Sequence, residues 1–118
     1  MDLKLVDPEL IPALEAIPDF DIWADLETTR YISLQRSASI AATLPVVPKV
    51  TSSDHVVVQN NSQDISVRVY RPEGHSASLP ALLWIHGGGY CFGSVEGDDY
   101  SVKRMVENIG CVVVSVDY

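Results

Sequence analysis

Apolar residues recur at helical spacing in the first part of the chain, where prolines interrupt them. Asp7, Pro8 and Glu9 supply a cap residue, a proline suited to a first helical turn and an early acid. They predict a short helix over residues 8–17, weakened by Pro12, whose apolar positions are Leu10, Ile11, Leu14 and Ile17. A second helix is predicted over residues 22–40, where the periodicity is less regular.

The hydrophobic period changes from helical to alternating after two prolines, Pro45 and Pro48. Strands are predicted over residues 55–59 and 64–71, joined into a hairpin by a polar turn at 60–63. We therefore expect a helical N-terminal arm, residues 1–44, and a sheet domain, residues 45–118, with the boundary near residues 43–52.

A third predicted strand, residues 79–86, is apolar on both faces, which favours a central place in its sheet. Three glycines end it, and a helix capped by Asp98 and stopped at Asn108 and Gly110 is predicted to follow. Its apolar stripe consists of Val102, Met105, Val106 and Ile109. Residues 111–116 form another strand that is apolar on both faces, so this stretch makes a βαβ unit and the predicted fold class is α/β.

Composition narrows the class of protein. The 118 residues suit one domain, and 47% apolar with 20% charged residues indicates a globular chain. A net charge of −8 argues against nucleic acid or an anionic membrane as a partner, because both bind basic patches. We see no signal peptide and no apolar run of membrane length, and Cys111 reads as a small buried hydrophobe. A reduced, cytoplasmic protein is expected.

The sequence His86-Gly87-Gly88-Gly89 admits several interpretations, which its spacing separates. The third glycine of a dinucleotide fingerprint would fall on Phe92, and a Walker loop would need a lysine well before Lys103. A tight turn without chemistry remains open, although a turn seldom needs three glycines. A His-Gly-Gly-Gly loop after the third strand matches the oxyanion-hole motif of α/β-hydrolases, where backbone N–H groups stabilise a developing negative oxygen.

Further residues support a resemblance to one family. The order of elements, the glycine motif, Gly93-Ser94 followed by Asp99, and Val116-Asp117-Tyr118 together resemble the hormone-sensitive-lipase-like carboxylesterases over about residues 45–118. The helical arm is similar to that family's N-terminal cap segments. The resemblance implies that the amides of Gly88 and Gly89 are the hole's donors, that Gly87 permits the turn, and that His86 braces the loop.

The nucleophile, acid and base of such an enzyme are missing from the sequence. The closest string to a Gly-x-Ser-x-Gly elbow surrounds Ser76, but it ends in serine and lies in a polar loop before a strand. His86 and Asp117 precede any possible elbow, so chain order gives them structural roles. His55 and His75 are expected to be solvated. Glu96, Asp98 and Asp99 suit a helix N-terminus, and we expect no metal and no cofactor.

The resulting expectation is the N-terminal portion of a serine carboxylesterase or lipase acting on short- to medium-chain esters. It would carry the oxyanion loop but no triad, and the rest of the hydrolase domain would be supplied in cis or by a second chain. In that family's sheet the third strand lies between the fourth and the fifth, so one apolar strand edge would be exposed here. The alternatives are a non-catalytic small-molecule receptor on the same scaffold and an inactive truncated product.

Overall fold

Helical segments precede a mixed sheet in the computed structural model, which describes residues 3–16, 23–60 and 62–118. Short 3₁₀ turns at Leu3–Leu5 and Pro8–Leu10 lead into the helices α1 (Ile11–Glu15) and α2 (Leu26–Ala41). The remaining elements, in chain order, are β1 (Val50–Val57), β2 (Ile65–Pro72), β3 (Ala81–Ile85), α3 (Val95–Ile109) and β4 (Val112–Asp117). None of the helices in these ranges is long and apolar enough to span a bilayer.

The four strands form one sheet in the order β1-β2-β4-β3. β1 pairs antiparallel with β2, and β2 pairs antiparallel with β4. β3 pairs parallel with β4, from Ala81 opposite Val112 to Ile85 opposite Val116, and α3 makes the crossover between them. The predicted βαβ unit and α/β fold class are therefore confirmed.

The expectation that the third strand lies in the centre of its sheet is wrong for the described chain. β3 lies at an edge of the sheet, and Leu83 and Ile85 are each 63% exposed. An apolar strand predicts burial on both faces only if another strand or layer is present to cover it. In the described residues nothing pairs with the outer edge of β3.

The core lies between α3 and one face of the sheet. Val102 and Val106 of α3 are fully buried against Tyr70 of β2 and Val113 of β4, and Cys111 is buried beside them. Cys91 and Cys111 are both free thiols. The predicted stripe on α3 is thus largely confirmed, but its last member, Ile109, is 65% exposed in the final turn.

The ends of α3 differ in one respect from the prediction. The cap is Ser94, four residues before Asp98, and the helix begins at Val95, because the extended Ser94 places its hydroxyl where it accepts a hydrogen bond from Gly97 N–H at 3.1 Å. Asp98 instead accepts a hydrogen bond from the indole Nε1–H of Trp84 at 2.7 Å, which ties α3 to β3. Gly110, at φ 73°, ends the helix as predicted.

The earlier elements follow the prediction with shifted bounds. β1 runs over Val50–Val57, not residues 55–59, since its first half pairs with β2 up to Val50 opposite Pro72. Strand pairing thus extends a segment whose own sequence is a weak strand former. The predicted helix over 8–17 is a 3₁₀ turn followed by α1, and Ile17 lies outside the described residues. The predicted helix over 22–40 is α2, and Ile22 also lies outside them.

α2 begins where the side chain of Asp25 accepts a hydrogen bond from Thr28 N–H at 3.0 Å. The helix contacts α3 and buries none of its own residues completely. The division of the chain into an arm, residues 1–44, and a sheet domain, residues 45–118, stays a prediction.

Charged side chains join the start of α3 to the sheet. The guanidinium of Arg68 on β2 pairs with Asp54 of β1, with Glu96 at 3.1 Å and with Asp99 at 3.7 Å. The hydrogen bond from Arg68 lowers the pKa of the Asp54 carboxyl. Asp99 also accepts a hydrogen bond from the buried Tyr70 hydroxyl at 3.1 Å. Burial, with the charge of Asp99, raises the pKa of Tyr70, which keeps the hydroxyl a donor.

The open edge of β3 generates a first prediction. Because Leu83 is exposed on an apolar strand whose outer edge is unpaired in the described chain, we expect the 118-residue protein to self-associate through it. Leu83→Lys should reduce light scattering at a given concentration, since a charge on an edge strand opposes pairing with another chain. Val46→Lys is the matched control, as Val46 is 87% exposed and lies outside the sheet. Equal loss of scattering in both variants would contradict an edge-specific contact.

Candidate oxyanion site

The glycine loop, residues 86–94, connects the end of β3 to the start of α3. The C-terminal end of β4 lies beside the start of this loop, because β3 and β4 are parallel. The carboxyl ends of parallel strands are where open α/β sheets bind their ligands. In this loop the backbone of Gly87, Gly88 and Gly89 is exposed, whereas His86 is only 4% exposed. A buried side chain therefore supports an accessible stretch of backbone.

The His86 imidazole fixes the first peptide unit of the loop. Its Nδ1 lies 2.8 Å from the carbonyl oxygen of Gly87. A carbonyl oxygen can only accept, so Nδ1 carries the proton and donates it. In a planar trans peptide the C=O and the following N–H point in opposite directions. Holding the Gly87 carbonyl toward His86 therefore turns the N–H of Gly88 away from the imidazole.

The next peptide unit, between Gly88 and Gly89, is also held by hydrogen bonds to its carbonyl oxygen, and here the donors belong to the loop itself. The carbonyl oxygen of Gly88 accepts two hydrogen bonds, from Cys91 N–H at 3.0 Å and from Phe92 N–H at 2.9 Å. The N–H of Gly89 accordingly points away from that turn. Neither the Gly88 nor the Gly89 amide donates a hydrogen bond to any of the residues that the structure describes. Two consecutive amides are thus oriented and have no acceptor among the described residues. Amides of this kind are able to donate to an anionic oxygen.

Steric contacts show which glycines the loop requires. A Cβ on Gly88, at φ 130°, would lie 2.0 Å from the carbonyl oxygen of Phe92. A Cβ on Gly93, at φ 85°, would lie 2.2 Å from the Gly87 oxygen and 2.5 Å from His86 Nδ1. Gly89 has φ 58°, a left-handed conformation that side chains disfavour. Gly88 and Gly93 therefore need glycine to form the loop, and the conformation of Gly89 favours it.

The role expected for Gly87, to permit the turn, is not what the structure shows. Gly87 does not adopt a left-handed conformation, and a Cβ added there would meet nothing within 4 Å. The turn is made by Gly88 and Gly89 instead. Open space beside Gly87 is compatible with close approach of a ligand to the backbone.

Aromatic rings surround the base of the loop. The ring of Tyr118 stacks on the His86 imidazole with centroids 4.3 Å apart and planes within 11°. Its hydroxyl donates to the carbonyl oxygen of His86 at 2.7 Å. Tyr90, which has φ 62° and is 92% exposed, approaches Tyr118 edge-on at 5.9 Å. No sequence pattern predicts this contact, because 32 residues separate His86 from Tyr118 and no periodicity relates them.

The second nitrogen of His86 is also buried. Nε2 has no hydrogen-bond partner among the described residues, and the nearest carboxylate oxygen, Oδ1 of Asp117, is 3.9 Å away. Asp117 itself is about half exposed at the end of β4. The structure thus brings His86 and Asp117 together at the loop, beside Tyr118, while leaving the Asp117 carboxylate in contact with solvent.

The other histidines and Ser76 lie apart from the loop. His55 is exposed on β1, where its Nε2 is 2.9 Å from the Ser53 hydroxyl oxygen. His75 is exposed between β2 and β3, and its Nδ1 is 3.2 Å from the Glu73 carbonyl oxygen. Ser76 is exposed in the same connection, away from any strand-to-helix turn. Its surroundings are not those of an activated nucleophile.

The three acids at the start of α3 all have protein partners. Glu96 pairs with Arg68, Asp98 accepts the Trp84 indole N–H, and Asp99 contacts Tyr70, Arg68 and Lys103. Within residues 3–16, 23–60 and 62–118, no three His, Cys, Asp or Glu side chains are grouped as a metal site would need. These carboxylates fasten α3 to the sheet and to its own next turn.

Known proteins similar to this chain are hydrolases. A family model described as the α/β hydrolase fold matches residues 82–118. An arylacetamide deacetylase of Bos taurus is 38% identical over 72 residues, which cover 58% of this chain and 18% of that protein. The carboxylesterase NlhH of Mycobacterium tuberculosis is 29% identical over 114 residues, covering 96% of this chain and 34% of that protein.

The fold has a close counterpart among solved structures. A bacterial heroin esterase superposes with a TM-score of 0.83 and 28% identity, covering all of this chain and 37% of that one. The chain therefore spans between 18% and 37% of the length of these proteins. The resemblance to α/β-hydrolase carboxylesterases and the predicted fold are confirmed.

The steric difference between adjacent glycines generates a second prediction. Gly88→Ala should lower the free energy of unfolding by at least about 2 kcal/mol, because its Cβ overlaps the Phe92 carbonyl at a φ that alanine avoids. Gly87→Ala, its matched control, should change that free energy by no more than about 1 kcal/mol. Urea unfolding of both variants measures the difference. Equal destabilisation would show that the loop conformation described above is wrong.

Proposed function

We propose that this chain, which is similar to carboxylesterases of the α/β-hydrolase fold, supplies the oxyanion hole of a serine carboxylesterase. One observation carries the proposal. The N–H groups of Gly88 and Gly89 have no acceptor among the described residues, and the carbonyl groups of the same two peptide units are held by hydrogen bonds on the other side. The similarity to arylacetamide deacetylase and to carboxylesterase NlhH supports the same chemistry.

The amides act on the charge that develops during ester hydrolysis. When a nucleophile adds to the acyl carbon, the carbonyl oxygen becomes an oxyanion, and the N–H groups of Gly88 and Gly89 donate to it. Donors that are already oriented stabilise this charge without reorganising, and each is worth about 3 to 4 kcal/mol of barrier. Gly87 leaves the approach to these amides open, since no Cβ projects there.

His86 supports the hole and does not transfer protons to the substrate. Its Nδ1 is engaged by the Gly87 carbonyl, and its side chain is only 3% exposed. A general base must reach the nucleophile directly or through one water. His86 therefore acts as the brace that holds the Gly87 carbonyl away from the anion.

The nucleophile, the acid and the base come from outside the described sheet. We propose that further polypeptide, in cis or as a second chain, adds the missing strands beside β3 and carries these groups. A serine there would attack the acyl carbon of a short- or medium-chain ester, and a histidine would act as base and then acid. The unpaired edge of β3 and the greater length of the similar proteins support this arrangement.

The substrate is a small-molecule ester, and the chemistry requires neither a metal nor a cofactor. We place the protein in the cytoplasm, consistent with two free cysteines. A net charge of −8 gives no basic surface for nucleic acid or an anionic membrane.

Hydrolysis of p-nitrophenyl butyrate tests the proposal. The 118-residue chain alone should show no turnover above a buffer blank. The longest polypeptide that contains this chain should hydrolyse the ester. Ser76→Ala in the 118-residue chain is the control for any residual activity. If the 118-residue chain hydrolyses the ester and Ser76→Ala abolishes that activity, the proposal that the nucleophile lies outside this chain is wrong. Ligand binding without turnover by the long polypeptide would favour a receptor.

Replacing one backbone amide tests the hole itself. An amide-to-ester substitution at Gly88 exchanges its N–H for oxygen without adding a side chain. We expect kcat to fall by about 10² to 10³ with little change in KM, because the donor acts on the transition state.

The same substitution at Gly74 is the matched control. Gly74 is also an exposed glycine with positive φ, 74°, but it lies between β2 and β3, outside the loop. It should leave kcat unchanged. An unchanged kcat after the Gly88 substitution would show that another amide binds the oxyanion.

A further inference from the structure

We propose that Tyr118 is a positioning residue that keeps the Gly88 amide oriented as a donor, acting through His86. The inference rests on the proposed function of that amide. It follows from three contacts at the edge where β3 and β4 end side by side: ring stacking, a hydroxyl hydrogen bond and the imidazole hydrogen bond to Gly87.

Tyr118 holds His86 at two points. Its hydroxyl donates to the main-chain oxygen of His86 at 2.7 Å, which fixes the backbone where β3 ends. Its ring lies flat against the imidazole, with centroids 4.3 Å apart. The hydrogen bond restrains the backbone and the stacking restrains the side chain, so the position of Nδ1 is determined by both.

The position of Nδ1 decides which way the Gly87–Gly88 peptide faces. Both flanking residues are glycines, so no Cβ opposes rotation of this peptide plane. A half-turn would exchange the Gly88 N–H for the Gly87 carbonyl oxygen on the open side. That change replaces a donor to the oxyanion by a partial negative charge. The 2.8 Å bond from Nδ1–H to the Gly87 oxygen favours the productive orientation.

Tyr118 also contacts the far side of the glycines. The ring of Tyr90, which follows Gly89, meets the ring of Tyr118 edge-on at 5.9 Å. Tyr90 adopts φ 62°, a conformation that costs free energy for a residue with a side chain. One tyrosine ring thus contacts the residue before the three glycines and the residue after them.

The contacts of Tyr118 are local, unlike those of a core residue. Tyr118 is 47% exposed, whereas the core under α3 is formed by fully buried Tyr70, Val102, Val106 and Val113. Truncating Tyr118 should therefore cost little of the fold's stability. Its effect on the orientation of one peptide should be much larger than its effect on unfolding.

The test compares Tyr118→Phe and Tyr118→Leu in the complete active polypeptide. Leucine removes the stacking and the hydroxyl, and we expect kcat to fall by about 100-fold with KM changed less than about twofold. Phenylalanine retains the ring, so it should lose less of kcat than leucine does. Val106→Ala is the control, because it destabilises the core at a site remote from the loop.

A second readout does not depend on activity. Long-range ¹H–¹⁵N spectra of histidine-labelled protein report whether the proton of His86 is on Nδ1. We expect Nδ1–H in the wild type and in Tyr118→Phe, and a mixture of tautomers in Tyr118→Leu. If the wild-type polypeptide hydrolyses no ester, the proposed function fails, and these spectra alone decide whether Tyr118 positions His86.

Three results would overturn the inference. One is an unchanged kcat in Tyr118→Leu. Another is an equal loss of kcat in Val106→Ala, which would indicate a general effect of lost stability. The third is retention of the Nδ1 proton in Tyr118→Leu, which would show that the imidazole does not depend on the tyrosine.

Discussion

The parallel pairing of β3 with β4 is the constraint on which the candidate site depends. Parallel strands need a crossover, so α3 must return over the sheet, and both strands then end at the same edge. This brings Tyr118, at the end of β4, against His86, 32 residues earlier in the chain. The glycine loop between β3 and α3 is held at its start by this contact. Sheet topology therefore determines the surroundings of the amides.

The attachment of α3 to the sheet fixes the other end of the loop. Val102 and Val106 supply apolar burial. Trp84, Arg68 and Tyr70 bind the three acids near the start of the helix, which are Glu96, Asp98 and Asp99. Acids at a helix N-terminus are favoured by the helix dipole, and here each has a further partner as well. The acidic cluster that could suggest a metal site is thus explained by packing of the helix on the sheet.

The βαβ unit is predictable from local sequence, because its two hydrophobic patterns each lie within a short stretch of the chain. The apolar stripe on α3 and the apolar run of β4 need no knowledge of distant residues. The bounds of β1 were wrong because Val50 and its neighbours become strand only through pairing with β2. The cap is Ser94 and not the predicted Asp98, because the extended backbone of Ser94 lets its hydroxyl accept the Gly97 N–H, which local sequence does not indicate.

The glycine motif is recognisable from sequence, but the structural role of each glycine in it is not. Gly88 and Gly93 are required by contacts with Phe92 and His86 that exist only in the folded loop, and Gly89 is favoured by its φ. Gly87 is unconstrained by either. The stacking of Tyr118 on His86 is likewise a tertiary contact that no spacing rule predicts.

Contacts within the described chain orient the amides of Gly88 and Gly89 without any nucleophile. The Gly87 carbonyl is held by His86, the Gly88 carbonyl by Cys91 and Phe92, and all of these residues lie between β3 and α3. Because the donors are oriented before any substrate arrives, the free energy that orders them is a cost of folding and not of catalysis. The left-handed backbone at Tyr90 is part of that cost. In the proposed oxyanion hole, stabilising the charge therefore depends on the fold of this segment, and creating the charge is the separate task of a nucleophile.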